Sequence, residues 1–279
     1  MTPDNGTCIT PVPPAYDTDR PNERTMCNEV ITEYDDGLAV ITINRPQARN
    51  AVDRAVAEGI AAAVDELDAR PDLKVGIITG AGNGFCAGMD LKAFLRGERP
   101  YVEGRGFAGL VEAPPRKPLI AAVEGYAVAG GCELALAGDL VVAAENAKFG
   151  LPEVRRGLVA AGGGLLRLPR RIPYHVAMEL ALTGDFLTAE RAYALGLVNR
   201  LTPVGGALAE ARRLAAAIAA NGPLAVRVTK QVIVESRDWP SGVAFDRQRE
   251  ITAPVFTSRD AQEGARAFAE KRAPIWTGE

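Results

Sequence analysis

Two glutamates, each placed just behind a tight turn, are the side chains of this chain best suited to moving protons. Glu133 closes the segment Gly125-Tyr126-Ala127-Val128-Ala129-Gly130-Gly131-Cys132-Glu133, and Glu153 closes Lys148-Phe149-Gly150-Leu151-Pro152-Glu153. The chain has a single histidine, His175, so carboxylates are its natural acid and base. Two carboxyl groups brought together in a low-dielectric site split their proton affinities, so that one donates while the other accepts. Taken singly, each has a plainer explanation, because an acidic residue at a helix start complements the helix dipole.

Two small-residue turns accompany these carboxylates. Ala87-Gly88-Met89-Asp90 precedes a helix through Phe94, with Asp90 as its N-cap, and Ala129-Gly130-Gly131 precedes a helix over Cys132–Ala137. A turn that opens a helix aims free N–H groups outward, so Met89 and Gly130 can each offer a backbone donor to an anionic oxygen. Alone, the first is an ordinary capped helix and the second is tight helix–strand packing. Together they point to a paired oxyanion hole. Gly80-Ala81-Gly82-Asn83-Gly84 has the spacing GxGxG, not GxGxxG, and Phe85–Met89 separates it from the next helix. That excludes a dinucleotide turn and leaves a flexible loop.

The elements that must position these groups alternate. Val30–Tyr34 and Leu38–Ile43 flank Asp35-Asp36-Gly37 as a hairpin, with Gly37 free to take positive φ. An amphipathic helix spans about Asp53–Ala69, with Val56, Ile60, Val64 and Leu67 on one face. Val75–Thr79, Leu119–Val123 and Leu140–Ala144 are apolar runs of buried strands. This alternation gives an α/β class with parallel strands. Helices then follow at Ala207–Ala220, from Pro223 to about Glu235, at Val243–Ile251, and at Arg259–Lys271 with Ser258 as a cap. The expected organisation is a tail over 1–26, an α/β body over 27–204 and a helical region over 205–279. Leu214, Ile218, Val226 and Ile233 would leave apolar faces on that last region for subunit contact.

The 279 residues are 47% hydrophobic, enough for one sizeable core. A net charge of −3 argues against a nucleic-acid partner. No apolar run reaches the roughly 18 residues of a membrane span. Cys8, Cys27, Cys86 and Cys132 form no CxxC pair, so neither a zinc site nor a disulfide framework is indicated, and a reducing cytoplasm is the expected setting. Residues 1–26 carry Pro3, Pro11, Pro13, Pro14 and Pro21 and few apolar side chains, which reads as a flexible tail, with Met26 as an alternative start.

Asn44-Arg45-Pro46-Gln47-Ala48-Arg49-Asn50-Ala51, Phe85-Cys86-Ala87-Gly88-Met89-Asp90-Leu91-Lys92, Gly130-Gly131-Cys132-Glu133, Phe149-Gly150-Leu151-Pro152-Glu153 and Phe268-Ala269-Glu270-Lys271-Arg272 follow one another in a known order. In these motifs the chain, from about Glu29 to Thr277, resembles the crotonase superfamily and within it the enoyl-CoA hydratases. The resemblance implies a crotonase-like spiral of ββα turns followed by a helical trimerisation region, assembled as a homotrimer or a hexamer of two trimers. It implies an acyl-CoA thioester substrate, coenzyme A being part of that substrate, with no metal or redox cofactor. By motif, Met89 and Gly130 would hold the thioester oxygen, and Glu133 and Glu153 would be the catalytic pair. Arg49 and the backbone of Ala87, Gly88, Met89, Asp90 and Leu91 would line the CoA channel, with Lys92 near its phosphates. Phe268 and Lys271 would reach the CoA of a neighbouring subunit.

The chain departs from that pattern in places. Ala160-Ala161-Gly162-Gly163-Gly164-Leu165-Leu166 stands where hydratases read Pro-Gly-Ala-Gly-Gly-Thr-Gln, and Ala129 replaces a glycine. Ala161 is expected to add a methyl near the water position. Within the same fold, a Δ3–Δ2 enoyl-CoA isomerase and a non-catalytic acyl-CoA-binding protein are the alternatives. Two retained glutamates favour hydration, since a binder has no use for two buried charges.

Overall fold

The computed structural model describes the backbone of 24–27 and everything from Glu29 to Glu279. The tail expected over 1–26 therefore lies outside the described residues as far as residue 23. Arg24–Cys27 forms a strand paired antiparallel with Val30–Asp35.

The hairpin forms between Val30–Asp35 and Leu38–Ile43, with Asp36 (φ 47°) and Gly37 (φ 78°) both in the left-handed region. A two-residue turn of that hand matches the strand twist, which explains the Asp-Gly pair. Leu38–Ile43, Val75–Gly80, Leu119–Val123, Leu140–Ala144 and Arg200–Thr202 then pair in parallel, in that spatial order, to complete a seven-stranded sheet. The central strands carry no alternation because both faces are covered. On one face lies the helix Arg54–Ala69, capped by the Asp53 side chain on the Val56 N–H and burying Val56, Ile60, Val64 and Leu67. Ala207–Ala219 covers part of the other face, where Ala207, Ala211 and Ala215 are buried against Val40, Val75, Ile77, Ile120 and Val142.

A second, smaller sheet positions the chemistry. Cys86 bridges Ala127 in parallel, Tyr126–Val128 pairs in parallel with Lys148–Gly150, and Leu187–Thr188 closes the edge antiparallel. Each turn of the spiral runs through the large sheet, then the small sheet, then into a helical turn. Helical turns accordingly begin side by side just past Cys86, Val128 and Gly150, at Leu91–Leu95, Gly130–Ala137 and Pro152–Arg156.

The expected boundary near 205 falls before Ala207–Ala219, which packs on the sheet. Leu214 and Ile218 are partly buried against the same cluster and are not free faces. The helices with little core of their own come later: Pro223–Glu235 buries only Val228, and Ala244–Phe256 buries nothing. That last helix runs past Ile251 and through Pro254, and Val243 caps it without joining it. Tyr174–Thr183 and Ala189–Ala194 are helices that the sequence pattern did not single out. Among the described residues no helix is long and apolar enough to cross a membrane.

Candidate active site

The two turns expected to hold an oxyanion meet. Val128 N–H donates to Cys86 O at 3.2 Å and Cys86 N–H to Tyr126 O at 2.9 Å, so the first turn is laced to the second. Gly88 sits at φ 93°, where an added Cβ would come within 2.9 Å of the Ala129 Cβ and 3.0 Å of the Gly130 nitrogen. Only glycine allows that approach. The N–H groups of Val52, Asp90, Cys132 and Glu133 around this junction all find backbone acceptors. Those of Met89 and Gly130 donate to no protein acceptor among the described residues, which leaves two adjacent donors for a ligand oxygen.

Ala129 takes φ 53°, ψ −130°. This is a glycine-favouring conformation, and holding alanine there costs on the order of 1–3 kcal/mol. The turn is over-determined by its neighbours: Ala129 N–H donates to Gly150 O at 2.9 Å, and the Phe107 ring packs where a Gly130 Cβ would lie. The strain is spent on orienting the peptide that presents the Gly130 N–H.

Glu133 lies one turn into the same helix and is 4% exposed. Its Oε1 accepts from the Gly164 N–H at 2.9 Å. An added Cβ on Gly162 would stand 2.6 Å from its Oε2, so residues 162–164 close around the carboxylate. Burial pushes the Glu133 pKa up to about 7, helped by the charge of Glu153 and opposed by the Gly164 N–H and by Arg167. Glu153 is carried by Pro152–Arg156, a turn pinned by Arg155 through the Thr183 carbonyl and the Asp185 carboxylate. Burial raises the Glu153 pKa as well, and its Oε2 is buried without a hydrogen-bond partner. A buried oxygen without a partner costs about 1–3 kcal/mol, the kind of cost kept where a substrate group supplies the missing bond.

Beside the first turn runs a cavity of about 480 Å3, lined by Arg45, Gln47, Ala48, Ala51, Ala87, Met89, Asp90, Leu91, Lys92 and Arg96. Three cations on its rim suit a phosphate-bearing ligand. Ala87, Met89, Asp90, Leu91 and Lys92, expected along the CoA channel, all line this cavity. Gly88 is buried just behind them. Arg49 does not line this cavity; it is exposed, and its carbonyl takes the Ala87 N–H at 3.1 Å. Asp90 is chiefly structural, capping its helix through the Lys92 and Ala93 N–H groups and pairing with Arg45 at 3.1 Å. Phe268, 87% exposed, and Lys271, exposed at the end of the last helix, stand away from the cavity of their own chain.

Three residues with a part in the site were not read from sequence. Arg45 bonds the Ala51 carbonyl at 2.7 Å, Asp53 at 3.0 Å and Asp90 at 3.1 Å, holding three segments around the cavity. Asn50, fully buried, donates to the Ala81 and Gly84 carbonyls, so the glycine-rich loop expected to be flexible is anchored. Arg167 lies against the glycine turn around Glu133. The Asn44–Ala51 motif was the available signal for the first two. Ala161 is exposed, and the backbone of Gly162 and Gly164 lies against the Glu133 carboxylate.

A family model described as enoyl-CoA hydratase/isomerase matches residues 33–279. The enoyl-CoA hydratase EchA19 of Mycobacterium tuberculosis is 46% identical over 242 residues, 84% of this chain and 91% of that protein. A carnitinyl-CoA dehydratase of Salmonella typhi is 43% identical over 246 residues, 85% of this chain and 94% of that one. The crystal structure of enoyl-CoA hydratase EchA1 from Mycobacterium marinum superposes with a TM-score of 0.89 at 63% identity, covering 90% of this chain and 100% of that one. With a family model matched over residues 33–279 and relatives at 43–63% identity across most of their length, the chain belongs to the enoyl-CoA hydratase/isomerase family.

Proposed function

We propose that this protein is a 2-enoyl-CoA hydratase, a hydro-lyase that adds water across the 2,3 double bond to give a 3-hydroxyacyl-CoA. The observation that carries this reading is the pair of carboxylates with raised proton affinity, Glu133 buried and Glu153 half-buried, beside the N–H groups of Met89 and Gly130, which donate to no acceptor among the described residues. In the proposed mechanism the CoA moiety runs along the groove past Arg45, Lys92 and Arg96, and the thioester oxygen accepts from Met89 and Gly130. One water lies between the two carboxyl groups. One glutamate takes its proton as the oxygen bonds to C3, and the other gives a proton to C2. Negative charge grows on the thioester oxygen in the enolate-like transition state, where fixed donors stabilise it most.

An isomerase needs one carboxylate to carry a proton from C2 to C4. The second raised carboxylate, with its unpartnered oxygen, supports hydration instead. The test is crotonyl-CoA: hydration removes the conjugated thioester absorbance and adds the mass of water, whereas an isomerase or a binder leaves both unchanged. Glu153→Gln is expected to lower the rate by at least about 10², the range for a positioned acid–base group. Near-normal turnover by a folded Glu153→Gln protein rejects the two-carboxylate mechanism. Because relatives include a carnitinyl-CoA dehydratase, the substrate panel should vary acyl length, branching and charge.

We further infer that the chain works as a homotrimer or a hexamer built from trimers. The support is apolar surface on the late helices: Ile233, Val234, Phe245 and Phe256 are exposed, and Ala244–Phe256 buries no residue in its own chain. Large exposed apolar side chains gathered on late helices with little core of their own mark interfaces. Light scattering at micromolar concentration is expected to return a multiple of the 29.5 kDa chain mass, and a single-chain mass overturns the inference.

A further inference from the structure

We propose that Arg167 is a positioning residue of the proton-transfer pair, whose guanidinium braces the Gly162–Gly164 turn around the Glu133 carboxylate and sets a positive charge against it. The proposal deepens the hydratase reading and rests on it for the reaction served.

Arg167 closes the one-turn helix Gly164–Arg167, whose first N–H is the one that Glu133 accepts. Its Nη1 reaches the Gly162 carbonyl at 3.4 Å and occupies the space where a side chain on Gly163 would stand. Its Nη2 donates to the Val111 carbonyl. The arginine therefore crosses one side of the glycine turn and ties it to the segment after the Gly106–Phe107 strand, whose Phe107 ring packs on Gly130. The other side of the turn is the Glu133 carboxylate, in contact with Gly162 and Gly164. Removing Arg167 frees the turn on one side only, and the carboxylate feels the loss directly.

The surroundings make the charge matter. Among the described residues the hydrogen bonds of Arg167 go to two carbonyl oxygens and none to a carboxylate. A half-buried guanidinium held in that way keeps its field for the nearest anion. Burial lowers the Arg167 pKa, and the charge of Glu133 is what opposes the fall. The Gly164 and Gly162 N–H groups favour the ionised form of Glu133, Arg167 adds the favourable charge, Glu153 opposes it, and Tyr101 and Cys132 stay neutral with raised pKa values. Arg237 approaches Arg167 as a like charge and supplies nothing to replace it. Without the arginine the balance at Glu133 tips toward the protonated acid.

The test uses Arg167→Met, Arg167→Gln and Arg167→Lys in the full-length protein. One readout needs no turnover: the protonated-carboxyl band of Glu133 in infrared difference spectra across pH, assigned by its loss in Glu133→Gln. The neutral variants are expected to titrate at higher pH than wild type, and Arg167→Lys to return most of the way. The second readout is kcat with crotonyl-CoA, whose Glu133-dependent limb should move by the same amount. In the neutral variants kcat at pH 7 should fall at least about tenfold, with KM near the wild-type value. Lysine, unable to bridge two carbonyls, is expected to recover the limb but not all of kcat. An unchanged Glu133 titration in whichever neutral variant folds, judged by circular dichroism, overturns the proposal. A wild-type protein that hydrates no enoyl-CoA while the titration shift appears sinks the hydratase reading and leaves the assignment of Arg167 standing.

Discussion

Glu133→Gln is expected to lose at least about 10² in hydration rate and, at pH 8, to melt at a higher temperature than the wild type. The first half follows from the role of the carboxylate and the second from its burial. The folded pKa of Glu133 is about 7 against an ordinary 4.5. Between those values the folded protein holds more proton than the unfolded chain, so stability falls as pH rises through the window. Above pH 7 the full penalty of a buried anion is present, on the order of 1–3 kcal/mol after screening. Glutamine is isosteric and uncharged, and its carbonyl can still accept from the Gly164 N–H, so it removes the penalty and keeps the bond. The gap in Tm should close as pH falls toward 5, where the wild-type carboxyl is itself protonated. A Tm difference that does not vary with pH contradicts a raised proton affinity at Glu133. A stabilised, inactive variant is the usual mark of a group kept for chemistry at the expense of stability.

What could be read from the sequence was local. Asp90 as a cap, Asp36-Gly37 as a hairpin turn and Ser258 before the last helix each work within three residues of themselves. The turns before Met89 and Gly130 were legible for the same reason, since small residues and a helix start say where free N–H groups must be. The small sheet was not legible. Tyr126–Val128 and Lys148–Gly150 are three residues each, too short to show a period, yet they bring the two turns and the two glutamates together. Polar side chains that act at a distance were also hidden. Arg45 finds Asp90 across 45 positions, and Arg167 finds Val111 across 56. Nothing near either residue in the chain names its partner. Leu214 and Ile218 show the converse: an apolar stripe was visible, but within the chain it packs against the sheet.

Met89→Ala is expected to retain hydration within about tenfold, and Met89→Pro to abolish it in a protein that still folds. The side chain of Met89 is partly buried against the main core, so trimming it removes packing and costs roughly a kcal/mol or two. The group that matters is the backbone N–H, which alanine keeps and proline deletes. An oxyanion donor contributes roughly 3–4 kcal/mol to the transition state, about 10²–10³ in rate. The fold around the position can tolerate the ring because the Met89 N–H closes no hydrogen bond among the described residues. The bonds that hold this segment, Val52 N–H to Gly88 O at 2.8 Å and Asp90 N–H to Val52 O at 2.9 Å, use neighbouring residues. Proline also restricts the residue before it, and here that residue is Gly88, the one best able to adapt. Circular dichroism should therefore show native helix content in both variants. If Met89→Ala were as inactive as Met89→Pro with both folded, the thioether and not the N–H would be the working group, and the oxyanion hole would have to be sought elsewhere.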